Sequence, residues 1–231
     1  MNCLFSGEDC FLAKKSWQKI LSDQDLMDQN GVVSKQTGHV GDLYFANLAR
    51  LPSIVKKGYI LREARRHGMP VDEANIRLLI CETVKLHQDM LAWFVKFQGF
   101  APTPIEIPSQ DPASLFDTVL SHANVWLGGM YMSYWATLLI LQECLNQCRY
   151  AVDYSEHNKE LALNILRSIE SVAVGMMGPF RVGYAIRIAY EFVDLRSQLW
   201  LATLLQGFEK TYAATSATDY PLPGENDYQW F

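Results

Sequence analysis

Between Thr118 and Gln142 the chain carries no lysine, arginine, aspartate or glutamate. The stretch from Ser121 to Cys148 reads SHANVWLGGMYMSYWATLLILQECLNQC. Trp126, Met130 and Tyr134 recur at i, i+4 and i+8, and Tyr131, Trp135 and Leu138 widen the same surface. This is helical spacing with apolar residues nearly all round, so the helix must be covered on every side or lie in a membrane. It is about long enough to cross a bilayer, which takes roughly 20 apolar residues. His122, Asn124, Gly128, Gly129, Ser133 and Thr137 interrupt it, and no basic cluster flanks it closely. The expectation is a buried central helix and no membrane span.

The rest of the composition agrees with that choice. At 231 residues and 49% hydrophobic content the chain can bury a sizeable core as one domain. A formal net charge of -5 argues against bulk phosphate contact, because nucleic-acid-binding domains present a basic face. Cys3, Cys10, Cys81, Cys144 and Cys148 are scattered and odd in number. MNCLFSGEDCF places acids where a secretory signal would be apolar. Together these predict a reducing, intracellular setting.

In chain order, a short amphipathic segment over 11–21 (FLAKKSWQKIL) precedes a loop. A helix is expected from Val40 to Leu51, and Pro52 opens a second one that ends near Gly68. The basic face of that second helix (Lys56, Lys57, Arg62, Arg65, Arg66) reads as a solvated surface rather than an anion site. Pro70 opens a long helix that stops at Gly99. The proline-rich run FAPTPIEIPSQDPA must be an extended connection. After the central helix, Ser155 is the expected N-cap of a helix to about Val174, and Gly175, Gly178 and Pro179 break the chain sharply. Two further helices over about 180–193 and 195–212 complete the fold. No segment shows a useful strand period. The sequence therefore predicts an all-α single domain of about seven helices around a buried central helix. Its parts are an extension over 1–38, a helical core over 39–212 and an irregular tail over 213–231, whose Tyr228, Trp230 and Phe231 could pin its end to the body.

Several segments together carry a family likeness. SLFDTVLSHANVWLGGMYMSYWATLLILQECL resembles the "F…A…YW…LLL" helix of the fungal-specific transcription-factor regulatory domain, the middle-homology region of zinc-cluster activators. Phe116, Ala123, Tyr134, Trp135 and Leu138 to Leu141 carry that likeness. LALNILRSIESVAVGMMGPFRVGYAIRIAYEF resembles the family's next block through Ala162, Ser168, Gly178, Ala185, Ala189 and Phe192, and Trp200 stands where a late tryptophan is usual. FANLARLPSIV resembles an earlier segment through Leu48, Leu51 and Pro52. The likeness runs from about residue 40 to 210 and implies an all-α fold with a regulatory or ligand-responsive role. The departure from the family is as informative. Its members read DNA through a zinc cluster held by CxxC-containing cysteine sets, and this sequence has no CxxC. Direct nucleic-acid contact is therefore not expected.

Candidate chemistry is sparse. His87, with Glu82, Lys85 and Asp89, reads as part of a wet face on which Lys85 pairs with the two acids. His122, at the start of the apolar helix, is either a hydrogen-bonded core residue or a group facing a ligand. Glu170 and Arg181 flank the Gly175–Pro179 break, and Arg187 precedes Glu191 by four, which suits structural ion pairs or the anchoring of a bound polar group. Tyr131, Tyr134, Trp135, Tyr184 and Tyr190 concentrate aromatics with polar tips, as a core or a small-molecule pocket does. There is no nucleophile elbow, P-loop, dinucleotide fingerprint or HExxH. Terpene ionisation with magnesium is not expected: DQDLMD is not the paired-aspartate motif it needs. Asn164 and Ser168 fit the second metal motif, but its third acid would fall at Val172.

These residues lead to one functional expectation and one alternative. The first is a pocket protein of fungal secondary metabolism acting on a hydrophobic small molecule, as a cyclase or pericyclase of the Diels–Alder kind. It would use no cofactor and no metal. His122 or Arg181 would polarise the substrate, and Trp126, Tyr131, Tyr134, Trp135 and Tyr184 would shape it. The alternative is a non-DNA-binding regulator that binds an effector, forms a homodimer or pairs with a zinc-cluster transcription factor. The enzyme would be cytoplasmic and the regulator nuclear.

Overall fold

Proline placement, capping residues and the long apolar stretch divide the chain into its elements. The structure is a computed structural model and describes residues 34–210 and 222–224. The segment over 11–21, the DQDLMD run, Cys3, Cys10, and Tyr228, Trp230 and Phe231 lie outside the described residues. The elements are α1 (Ser34–Leu48), α2 (Leu51–Arg66), α3 (Glu73–Gln98), β1 (Ile105–Pro108), β2 (Thr118–Ser121), α4 (Val125–Gln147), α5 (Ser155–Val172), α6 (Gly178–Ala189), a single 3-10 turn (Tyr190–Phe192) and α7 (Leu195–Glu209).

The fold is predominantly helical, with one small sheet. The all-α expectation is right in outline, and the small sheet is the departure from it. β1 and β2 pair antiparallel, with Ile105 opposite Ser121 and Pro108 opposite Thr118. Prolines at 102, 104, 108 and 112 keep this stretch out of helix, and Ile105, Ile107 and Val119 favour the extended form. The strands are only four residues long, too short for a period-2 pattern to stand out in the sequence.

Helix boundaries follow local chemistry. Pro52 sits in the first turn of α2, where it has no hydrogen bond to lose. Gly68 follows at φ +64°, a left-handed position that glycine adopts freely. The long helix starts at Glu73 rather than Pro70, because the Asp72 carboxylate caps Ala74 N at 2.8 Å. Gly99 ends it with φ -63°, so its left-handed freedom is not what stops the helix. The Asn124 side chain caps α4 at Leu127 N, 2.9 Å away. Ser155 is not the cap expected of it: it lies inside α5, preceded by Tyr154, which makes no side-chain cap.

The chain divides into two compact units, and α4 passes from one into the other between Ile140 and Leu141. The first unit contains α1, α2, α3 and Leu141–Asp153. Tyr44 and Trp93 pack there with ring centroids 4.9 Å apart, and Trp93 stacks on Phe97 at 5.0 Å. The Trp93 indole N–H donates to Val40 O at 2.7 Å, so a buried polar edge is satisfied. Lys57 bonds Glu82 at 2.5 Å and Arg50 bonds Asp89 at 2.6 Å. These bonds replace the expected pairing of Lys85 with both acids. Arg62 lies over the Tyr59 ring at 5.3 Å, and Arg65 donates to Gln147 O, so much of the basic face of α2 is spent inside the unit.

The second unit contains Pro102–Ile140 and the described residues from Tyr154 on. α5 lines β2: Ser171 Oγ donates to Leu120 O at 2.7 Å, and Arg167 bonds Thr118 O at 3.2 Å and Glu106 at 3.1 Å. Glu170 spends both carboxylate oxygens on the loop after β1, accepting from Ser109 Oγ at 2.7 Å and Gln110 N at 2.8 Å. In α7, Trp200 Nε1 donates to Ala113 O at 3.0 Å.

Every residue from Tyr134 to Cys148 except Glu143, Asn146 and Gln147 is buried, in keeping with the expected core role of α4. Among the described residues no helix is long and apolar enough to cross a membrane.

Gly178 marks the tightest backbone approach, because a Cβ there would overlap the Ala173 carbonyl. Gly178→Ala is expected to lower unfolding stability by about 1–3 kcal/mol, as overpacking against a backbone does. Urea denaturation followed by circular dichroism measures the change, and Gly207→Ala, where a Cβ meets nothing within 4 Å, is the control.

Candidate functional site

In the second unit an imidazole is gripped between a strand end and a helix start. β2 ends at Ser121 and α4 begins at Val125, which holds His122 between two regular elements. His122 Nε2 lies 2.9 Å from Ser168 Oγ. The Ser168 hydroxyl donates to Asn164 O at 2.8 Å, a back-bond within α5. With that hydrogen committed, Nε2 must carry the ring proton and donate to Ser168, which leaves Nδ1 as a bare lone pair. Nδ1 is buried and has no hydrogen-bond partner among the described residues. A buried acceptor without a donor is uncommon and costly.

Aromatic rings complete the surroundings. The His122 ring lies 5.4 Å from Tyr131 and 6.2 Å from Trp135, and those two are 5.5 Å apart. Tyr131 and Trp135 are both buried, one helical turn apart on α4. The Tyr131 hydroxyl donates to Pro102 O at 3.3 Å, so its hydrogen is committed to the backbone. The floor is Gly128: a Cβ there would meet His122 Cγ at 3.0 Å and overlap a Val172 methyl. Only glycine lets α4, α5 and the imidazole approach this closely.

Burial sets the protonation states. Desolvation lowers the His122 pKa from 6.5 to about 4, so the ring is neutral near pH 7. Burial raises the Tyr131, Tyr134 and Tyr184 hydroxyls, which keeps all three protonated. The Tyr184 oxygen is buried without a well-formed hydrogen bond, and the nearby Thr137 hydroxyl only partly offsets the effect of burial. Thr137 itself donates to Ser133 O at 2.8 Å.

The remaining sequence candidates are distributed elsewhere. Arg181 Nη1 donates to Val174 O at 2.9 Å and thereby tethers the break between α5 and α6. Trp126, on the first turn of α4, is 44% exposed. Tyr134 is buried within α4. Arg187 and Glu191 form a buried ion pair at 2.9 Å, and Glu170 is occupied by the loop after β1. His87, in the first unit, is buried against Gln142 Nε2 at 3.1 Å. Of the expected site residues, His122, Tyr131 and Trp135 therefore form one cluster.

Sequence reasoning passed over two contributors. Ser168 enters the sequence reading through the family likeness and an incomplete metal motif, yet it orients the imidazole. Gly128 was read as an interruption of the apolar run, yet its missing side chain is what admits the ring. Asn158 is a third surprise: it is buried, with neither amide atom partnered among the described residues. It lies ten residues before Ser168 on α5, about 15 Å along the helix, and so belongs to a different place.

No protein-family model, curated protein or solved structure matches this chain.

Adjacent glycines should respond in opposite directions. Gly128→Ala is expected to cost about 1–3 kcal/mol by displacing His122 and Val172. Gly129→Ala, whose Cβ meets nothing within 4 Å, should add about 0.5–1 kcal/mol through helix propensity. Thermal unfolding of both variants checks the pair.

His122 also sets a pH dependence. Its native pKa is depressed, so the unfolded chain takes up the proton first, and stability is lost as pH falls from 6.5 toward 4. The full depression corresponds to about 3 kcal/mol, which solvent screening of a partly exposed ring reduces to about 1–2 kcal/mol. Urea titrations of the wild type and His122→Gln over this range should show that part of the slope vanish in the variant.

Proposed function

We propose that the second unit binds a hydrophobic small molecule beside the His122–Tyr131–Trp135 cluster and promotes its cyclisation or isomerisation without a cofactor. The observation that carries this reading is the buried, unpartnered Nδ1 of a neutral imidazole, flanked by two aromatic rings. Apolar walls with a few placed polar atoms are what small-molecule sites generally present.

The tautomer narrows the chemistry. Nε2–H is committed to Ser168, so His122 offers an acceptor and no donor. A low proton affinity makes Nδ1 a weak base but an adequate acceptor for a substrate hydroxyl, enol or N–H. Its role in this reading is to hold a folded substrate conformer, and the rate gain comes from lost freedom rather than from proton abstraction. Arg181, bonded to the backbone, takes no part in the step. In this reading the protein would serve a fungal secondary-metabolite pathway.

A second reading rests on a separate observation. Val174, Met176, Met177 and Phe180 stand exposed around the α5–α6 break, Met176 at 77% and Phe180 at 59%. Apolar side chains gathered on one exposed loop commonly mark a partner surface. This suits a regulator that pairs with a zinc-cluster transcription factor or with a second copy and does not touch DNA.

Two experiments separate the readings. Purified protein incubated with late polyketide or terpenoid intermediates, chosen from the oxygenases encoded beside its gene, should give cyclised product above the protein-free rate. His122→Gln should reduce that rate by about tenfold, the worth of one hydrogen bond, while Arg181→Ala leaves it near wild type. Turnover equal to the protein-free rate with every intermediate defeats the enzyme reading. For the partner reading, a zinc-cluster protein should co-purify with the wild type and be lost on Met176→Ser with Phe180→Ser. Recovery of no partner at all sinks it.

A further inference from the structure

Away from the imidazole cluster, the first unit brings two thiols together. Cys144 and Cys148 lie one turn apart at the end of α4, and both are buried. Their thiols are in hydrogen-bond contact, with Cys144 as the donor. Cys144 Sγ is also 3.7 Å from Thr83 Oγ1, whose own hydrogen goes to Leu79 O at 2.7 Å. The Arg65 guanidinium caps the same helix end by donating to Gln147 O, and its charge acts on Cys148. The first thiol to ionise is Cys148, because Cys144 donates to it and Arg65 attracts its charge against the opposing effect of burial. Cys144 resists ionisation, because it donates its hydrogen to Cys148 and is buried, and the Glu143 charge adds to this.

We propose that Cys144 and Cys148 form a two-coordinate site for a monovalent thiophilic cation of the copper(I) class. Three arguments select this occupant. The first is spacing: Cβ atoms at i and i+4 are about 5–6 Å apart on a helix. A disulfide needs them at roughly 3.5–4.5 Å, so it would distort the turn. A bridging ion with metal–sulfur bonds of about 2.3 Å spans the gap with the helix intact. The second is coordination number: among the described residues no group of three His, Cys, Asp or Glu could hold a metal ion, and structural zinc takes four ligands. Soft thiolate pairs select copper(I), which is content with two. The third is charge: a monovalent cation with two thiolates carries a net negative charge, which Arg65 offsets. Binding replaces two S–H hydrogens with two metal–sulfur bonds and releases two protons to solvent, so affinity falls as pH falls.

The test uses the full chain, fully reduced and kept free of oxygen. Copper(I) is added in competition with a chromophoric copper(I) chelator. One cation per chain should be withheld from the chelator, and Cys144→Ser or Cys148→Ser should each weaken binding by about 100-fold. Cys81→Ser, which removes an exposed thiol, should leave it unchanged. Alkylation of the wild type with and without copper(I), mapped by mass spectrometry, provides a readout that needs no variant to fold. Protection should fall on Cys144 and Cys148. Protection at Cys3, Cys10 or Cys81 instead, unchanged binding in the double serine variant, or no copper(I) retained overturns the proposal. So does loss of both thiols to a disulfide under dilute peroxide in a protein that holds no copper(I) when reduced.

Discussion

A helix that is apolar nearly all the way round has to be covered on every side, and α4 is where the rest of the chain meets this demand. Its first part is enclosed within the unit built from β1, β2, α5, α6 and α7, and its last turns belong to the unit built from α1, α2 and α3. Buried apolar surface contributes about 25 cal/mol per Å², so leaving either part uncovered would forfeit a large share of a domain's small net stability. The features read as functional in this chain sit on α4 or beside it for the same reason. A polar group placed next to such a helix has few partners and is held firmly.

His122 shows this at close range. The ring approaches α4 only because residue 128 has no side chain, and its tautomer is set by a serine on α5 that has already spent its hydrogen. The outcome is a neutral imidazole with one free lone pair in an apolar setting. The thiol pair at the other end of α4 shows the same constraint with different chemistry. Burial alone would keep both thiols protonated, and the hydrogen bond from Cys144, with the charge of the arginine that caps the helix end, favours ionisation of Cys148.

Much of the helical framework was legible in the sequence, because apolar periodicity, prolines and caps act within a few residues. Pro52, Gly68 and Pro179 mark real boundaries, and the Pro-rich run after Gly99 is extended as expected. The β1–β2 pair was not legible. Each strand is four residues long, and its partner is set by contact across an intervening loop, which no local pattern announces. Ser155 was misplaced by one position, because a serine before an apolar run has the composition of a cap whether it stands at the cap or is the first residue of the helix. Lys85 was misjudged because i,i+3 and i,i+4 partners compete with cations from other segments, and Arg50 and Lys57 took its acids.

For the candidate site the division is sharper. The sequence by itself determined which chemistry was available: tyrosines, tryptophans, one histidine at the head of an apolar helix, and no motif for phosphate, dinucleotide or nucleophilic chemistry. It also determined that the helix would be buried, because hydrophobicity and period are properties of the chain alone. Only the tertiary structure decided which of those residues meet. It joined His122 to Tyr131 and Trp135, sent Arg181 to a backbone carbonyl, left Trp126 on the outside and brought in Ser168 from 46 positions away. Hydrogen bonding and burial depend on distance in space, and spacing along the chain constrains that distance only within a helix turn or a short loop.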